Sequence, residues 1–152
     1  MPQHDHKIPL MALLLGWGGV LPFVGAALAK ILGGPVVDLY ALSWGSAYAG
    51  VIIAFIGAVH WGVALGGIAV LHPEDKKRMI LLIWSVLPAL AVWPVMTLPP
   101  LARLPFLIVG LLIVWAADML ATKRGHLPRW YMKLRHGLTV VATGSLLTLG
   151  LA

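Results

Sequence analysis

Ionisable side chains are scarce in this chain, so the few that fall inside its apolar stretches are the first place to look for chemistry. His60 stands in the apolar run 43–71, and Asp118 lies near the end of the run 101–121. An ionisable residue at membrane depth is expensive, which makes it a functional candidate. A neutral imidazole there can bond a carbonyl or hydroxyl of a neighbouring helix, bind a ligand, or relay a proton. His60 is about eleven residues from the inner end of its run, roughly 16 Å at about 1.5 Å per residue. An aspartate near lipid needs a partner or water. Arg135 opens the next apolar run on the same side and is the expected ion-pair partner. The sharper alternative makes Asp118 and Arg135 a way in for a proton or cation. At these depths Asp118 is too shallow to meet His60 directly, unless a kinked helix or a water bridges them.

Seven tryptophans are spread along the 152 residues. Trp44 and Trp130 suit the membrane interface. Trp17, Trp61, Trp84 and Trp115 lie deeper, where each indole N–H seeks an acceptor. With His60 they are candidates to line a pocket for a flat lipophilic ligand such as a quinone or tetrapyrrole. The plainer reading is bulky filling opposite glycines. The chain has no cysteine, which rules out disulfides, thiol catalysis, iron–sulfur clusters and thiolate-bound zinc. His72, His126 and His136 fall near the inner interface, and His4 and His6 in the N-terminal tail. His60 therefore lacks a second intramembrane histidine for haem or a histidine-bound metal. Walker loops, nucleophile elbows, HExxH and dinucleotide fingerprints do not occur. The expectation is a protein without catalytic activity, cofactor or metal.

The elements that must position these residues are membrane helices. Hydrophobic residues make up 61% of the chain and charged residues 11%, with a mean hydropathy of +0.95. Soluble domains carry about 25% charged residues. Five runs, about 8–30, 43–71, 79–98, 101–121 and 134–152, are close to or beyond the roughly 20 apolar residues that cross a bilayer. The predicted fold is an all-α integral membrane bundle of five transmembrane helices, one domain over residues 1–152. The first run follows His4, His6 and Lys7 and ends in Ala27-Leu28-Ala29, as a signal peptide does. It is longer than the usual apolar region of about 7–15 residues and is read as the first span. Gly33-Gly34-Pro35, His72-Pro73-Glu74-Asp75 and Pro99-Pro100 mark turns between spans.

With the N-terminus inside, Lys7, Lys76, Lys77, Arg78, Lys123, Arg124, Arg129, Lys133 and Arg135 fall inside, against Lys30 and Arg103 outside, nine to two. The positive-inside rule then places the N-terminus in the cytoplasm and the C-terminus outside. The net charge of +6 arises from these span-end clusters, so anionic lipid headgroups are the expected partners and nucleic acid is not. Arg129, Trp130, Tyr131 and Lys133 are the candidate headgroup contacts.

Gly50, Ala54, Ala58, Gly62 and Gly66 recur every four residues in the second run, with Ser46 extending the series. Small residues at this spacing admit a close helix neighbour. Four residues overshoot a turn of about 3.6, so the stripe winds around the helix. It suits a central packing helix, or a homodimer or other membrane-protein partner. Pro22 and Pro88 end similar words, Trp17-Gly18-Gly19-Val20-Leu21-Pro22 and Trp84-Ser85-Val86-Leu87-Pro88, and should each kink a helix.

The word Phe55-Ile56-Gly57-Ala58-Val59-His60-Trp61-Gly62, with residues 16–23 (GWGGVLPF) and 128–135 (PRWYMKLR), resembles an uncharacterised family of short bacterial inner-membrane proteins whose mitochondrial relatives are of the transmembrane-protein-69 type. The resemblance implies a five-span protein of the bacterial inner membrane and brings no assigned activity. It carries His60, Trp61 and Asp118 as signature positions only. The tryptophan-rich sensory, or translocator, proteins are similar in length, span number and tryptophan content. Their Trp/Pro-rich signature is missing here, which leaves an analogy of architecture. Short loops, the missing catalytic set and the small-residue stripe favour an accessory or assembly component of a membrane complex. The alternative is a small protein that binds or transports a lipophile (quinone, tetrapyrrole or lipid) around His60 and nearby tryptophans. An integral-membrane enzyme acting on a lipid or quinone is the third reading.

Overall fold

The computed structural model describes residues 7–66 and 76–151, apart from the side chain of Lys77. His4, His6, residues 67–71 of the second run and the expected turn at 72–75 lie outside the described residues. The described chain folds into six helices: α1 (Leu10–Gly18), α2 (Leu21–Leu32), α3 (Pro35–Gly66), α4 (Lys76–Val95), α5 (Pro100–Lys123) and α6 (Arg129–Leu151). Among the described residues, four stretches are long and apolar enough to cross a membrane: Leu10–Leu32 taken across the α1–α2 break, Pro35–Gly66, Arg78–Val95 and Pro100–Lys123. The 23 residues of α6 match them in length, but Arg129, Lys133, Arg135 and His136 in its first turns lower its hydropathy. Large apolar side chains such as Leu15, Leu32, Trp44 and Trp93 stand exposed around the bundle, a surface that lipid covers and water does not. The chain is an all-α membrane protein with four to five helices of spanning length and hydropathy.

The first span is two helices. Gly18 and Gly19 are weak helix formers, and Pro22 has no N–H for the Gly18 carbonyl. The break falls at Gly19–Val20, ahead of the proline. There the Phe23 N–H bonds the Val20 carbonyl at 3.0 Å, and the Tyr48 hydroxyl of α3 donates to the released Gly19 carbonyl at 2.8 Å.

Helix α3 starts at Pro35 rather than at residue 43 and runs for 32 residues. That is about 48 Å at 1.5 Å per residue, longer than the roughly 30 Å hydrocarbon core. Its first turns sit beside the end of α2, where Lys30 Nζ and Asp38 Oδ2 are 3.4 Å apart. Helix α3 is the centre of the bundle and packs on α2, α4, α5 and α6. Phe23, Ile53, Ile56, Leu107, Leu111 and Leu146 form the core around it.

Glycines set the approach of α4 to α3. A Cβ on Gly57 would lie 2.8 Å from the Ser85 carbonyl oxygen and 2.9 Å from Pro88 Cγ; one on Gly50 would lie 3.0 Å from Val92 Cγ1. The winding stripe therefore serves this contact at its start. Ser46 and Gly50 are buried, Ala54 is half-buried, and Ala58, Gly62 and Gly66 are exposed. The inward face instead follows Gly50, Ile53, Gly57, His60 and Ala64, alternating steps of three and four, which hold one side of a helix where constant steps of four drift.

Helix α4 leans on α3 and touches α5 only lightly, which leaves a groove between α4 and α5. At the far end of α5 the chain turns through Gly125, whose φ is +77°. The His126 N–H bonds the Ala121 carbonyl at 2.9 Å, and the Gly125 N–H bonds the Thr122 carbonyl at 3.0 Å. This paired ending needs a left-handed residue, which glycine adopts without a Cβ penalty. It returns the chain into α6 beside α5.

Candidate functional site

Helices α3, α5 and α6 each bring a polar side chain to one point. Asp118 of α5 is 0% exposed. Arg135 Nε of α6 donates to Asp118 Oδ2 at 2.8 Å, and the Tyr131 hydroxyl donates to the same oxygen at 3.1 Å. His60 Nε2 of α3 lies 3.7 Å from Asp118 Oδ1. The sequence-based expectation that Asp118 is too shallow to meet His60 is thus corrected. That contact makes the two level, and Asp118, five residues before the α5 end at Lys123, marks which end of the bundle they share.

Bonding around the carboxylate is uneven. Oδ2 takes two donors, whereas Oδ1 has none within hydrogen-bond distance. Among the described residues, five of the seven buried side-chain polar atoms without a partner belong to this neighbourhood: His60 Nδ1, Trp84 Nε1, Asp118 Oδ1, Arg135 Nη2 and Thr139 Oγ1. Such atoms are rare in folded proteins, so their concentration marks the site. The Trp84 ring meets His60 edge-on, with centroids 6.4 Å apart and planes at 77°. Pro88 removes the N–H that would otherwise bond the Trp84 carbonyl.

Cavities flank the cluster. The first, about 410 Å³, is lined by His60 and Trp84, with Arg124 and His126 among the other walls. The second, about 550 Å³, follows the α4–α5 groove, shares Trp84 and Ile113 with the first, and is apolar throughout. The third, about 400 Å³, lies on the other side of Asp118 between α1, α2, α3 and α6, and includes Tyr131, Arg135 and Thr139. Among the described residues, no group of three or more histidine, aspartate or glutamate side chains could hold a metal ion.

Of the five candidate ligand contacts, the structure brings His60 and Trp84 together. Trp61 is 45% exposed. Trp17, equally exposed, lies over Gly137, where a Cβ would meet its ring at 3.4 Å. Trp115 Nε1 donates to His136 Nδ1 at 2.9 Å, on the α5–α6 side. The tryptophans therefore line no common box. Arg129 and Lys133 are exposed and Trp130 is half-buried, while Tyr131 turns inward to Asp118 instead of facing headgroups.

Tyr131 is expected from sequence at the headgroups rather than at Asp118, and Thr139 is not expected in the site at all, although a signal is present. Tyr131, Arg135 and Thr139 are four apart and share one face of α6. Nothing comparable announces His126, because its place at the cavity mouth depends on the Gly125 turn.

A family model described as "Protein of unknown function (DUF3429)" matches residues 8–151. Transmembrane protein 69 of Xenopus tropicalis is 32% identical over 148 residues, covering 91% of this chain and 53% of that protein. The chain thus spans about half the length of this curated relative. No solved structure matches the chain.

Proposed function

Since the chain belongs to the DUF3429 family, whose description assigns no activity, we propose its function from the site alone: it binds a lipophilic molecule, head at His60 and Trp84, apolar body in the α4–α5 groove. The observation that carries this reading is a pair of buried ring nitrogens, His60 Nδ1 and Trp84 Nε1, unpartnered among the described residues, in side chains that line one cavity of about 410 Å³. The Gly57 carbonyl stands beside the His60 ring, yet no well-directed bond reaches Nδ1. A buried polar group left unmade costs about 1–3 kcal/mol, which an oxygen or hydroxyl of the ligand would offset. Both this cavity and the apolar one that continues it fall within the roughly 300–1,000 Å³ usual for small-molecule sites.

The groove from Trp84 to Val95 is about 16 Å long at 1.5 Å per residue, which favours a chain-bearing lipid or quinone over a compact tetrapyrrole. Arg124 and His126 at the wall suit a strongly polar head. The protein acts by binding, without catalysis, and sits in a bacterial inner membrane with its N-terminus in the cytoplasm. The nine-to-two distribution of Lys and Arg supports this orientation. Anionic headgroups contact the basic span ends, and nucleic acid plays no part.

A second reading rests on the outward part of the small-residue stripe. Ala58, Gly62 and Gly66 are exposed, and a Cβ on Gly62 or Gly66 would meet nothing within 4 Å among the described residues. That strip suits the helix of a partner subunit or a second copy, as an accessory or assembly component would use it.

Mass spectrometry of the protein extracted gently from its membrane, scoring proteins and lipophilic small molecules together, separates the two. A stoichiometric small molecule retained in Trp61→Phe and lost in Trp84→Phe and His60→Gln is expected. A stoichiometric protein partner without a small molecule, or the absence of any small molecule that Trp84→Phe and His60→Gln release, would overturn the binding reading.

A further inference from the structure

The third cavity shares no lining residue with the first. Two of its wall residues, Arg135 and Thr139, are 6% and 5% exposed, and Arg135 Nη2 and Thr139 Oγ1 are both buried without a partner among the described residues. They stand one turn apart on α6. Both donate, so together they ask for an acceptor oxygen. We propose that this cavity is a second binding site, for an uncharged amphiphile whose carbonyl oxygen is held by Arg135 Nη2 and Thr139 Oγ1.

Charge selects the neutral head. Arg135 is already balanced by Asp118 at 2.8 Å, so a carboxylate ligand would bring an unmatched negative charge into a low-dielectric site, where it is costly. An ester or amide carbonyl accepts the same two hydrogen bonds without that charge. The rest of the cavity receives a chain: Phe23, Ile52, Ile56 and Leu138 wall it with hydrocarbon. Its volume of about 400 Å³ holds about a dozen heavy atoms at roughly 30 Å³ each, a head and part of an acyl chain. Leu15 and Phe55 on its rim are 75% and 68% exposed, so it opens sideways, where the acyl chains of the bilayer lie. The break between α1 and α2 forms part of the wall through Gly16, Gly19 and Val20, and a continuous helix there would not present the same hollow.

The test uses the full chain in nanodiscs and a monoacylglycerol carrying a diazirine and an alkyne on its acyl chain. After illumination, labelled peptides are mapped by mass spectrometry. Adducts should concentrate in residues 15–23, 52–59 and 130–142, and excess monoolein should displace the probe better than oleate does. Arg135→Lys keeps the charge opposite Asp118 but removes the second guanidinium nitrogen, and should lower saturable labelling about tenfold; Thr139→Val should lower it about two- to tenfold. Thr139→Ser, which keeps the hydroxyl, should label like the parent. In Trp84→Phe the adducts should fall on the same three segments as in the parent, which keeps the outcome apart from that of the first site. Adducts spread over outward residues such as Leu14 and Val140 and indifferent to Thr139→Val would overturn the site, as would loss of labelling in Thr139→Ser. Stronger competition by oleate than by monoolein would overturn the neutral head.

Discussion

Asp118 is the residue on which three helices agree. Removing it leaves the Arg135 guanidinium buried without its counter-charge. Asp118→Ala should therefore destabilise the protein by about 3–5 kcal/mol, read as a shift in detergent-induced or thermal unfolding. Adding Arg135→Met to that variant should recover most of the loss, since a buried pair replaced by apolar groups of similar volume is close to neutral. A double variant no more stable than Asp118→Ala would show that the pair is not the source of the loss. Tyr131→Phe removes one donor to the same carboxylate and should cost about 0.6 kcal/mol, the average for an interhelical hydrogen bond in a membrane bundle, and no more than about 1.7 kcal/mol. His60, Asp118 and Arg135 could be picked out from the sequence because an ionisable group in an apolar run has few innocent explanations. The contact between His60 and Asp118 could not, because depth counted from the end of a hydropathic run assumes where that run meets the headgroups. Tyr131 was hidden for another reason: an aromatic among basic residues looks like an interfacial anchor, and only its four-residue spacing from Arg135 says otherwise.

Helices meet through single small residues, and there the winding stripe on α3 separates into two kinds of position. Gly57 faces the Ser85 carbonyl and Pro88 of α4, with a virtual Cβ contact of 2.8 Å. Gly57→Val should push α4 away and cost about 1–3 kcal/mol. Gly62→Val, where a Cβ meets nothing within 4 Å, should change the unfolding of the isolated protein by no more than about 0.5 kcal/mol. Similar losses for both would mean that the outward strip is packed as tightly as the inward one. Repetition of small residues is visible in sequence, but which members face inward depends on drift accumulated over the whole of α3. The α1–α2 break is a similar case. Pro22 forecasts a disturbance, yet the helix yields earlier, at two glycines whose freed carbonyl Tyr48 can reach from another helix.

The bundle as a whole offers a direct way to test its orientation, because the chain contains no cysteine. Single reporters can be introduced without first removing any. Thr97→Cys, at the turn between α4 and α5, and Lys123→Cys, on the exposed last turn of α5, stand at opposite ends of α5. A membrane-impermeant maleimide applied to intact cells should modify Thr97→Cys and should reach Lys123→Cys only after permeabilisation. The reverse pattern would invert the orientation inferred from the basic residues. That the chain is a helical membrane bundle was plain from composition, since no soluble fold covers itself with so few charges. Its hollows were not, because they arise where α4 leans away from α5 and where α1 parts from α2, and neither displacement is written in hydropathy.

The Asp118 carboxylate has one oxygen turned toward the histidine of one hollow and the other bound by the arginine of the next. An occupant that draws on His60 alters what Oδ1 can accept, and an occupant that draws on Arg135 alters what Oδ2 already holds. Two molecules that never touch would then influence each other's affinity through a single side chain. Thermodynamic reciprocity makes that influence equal in both directions.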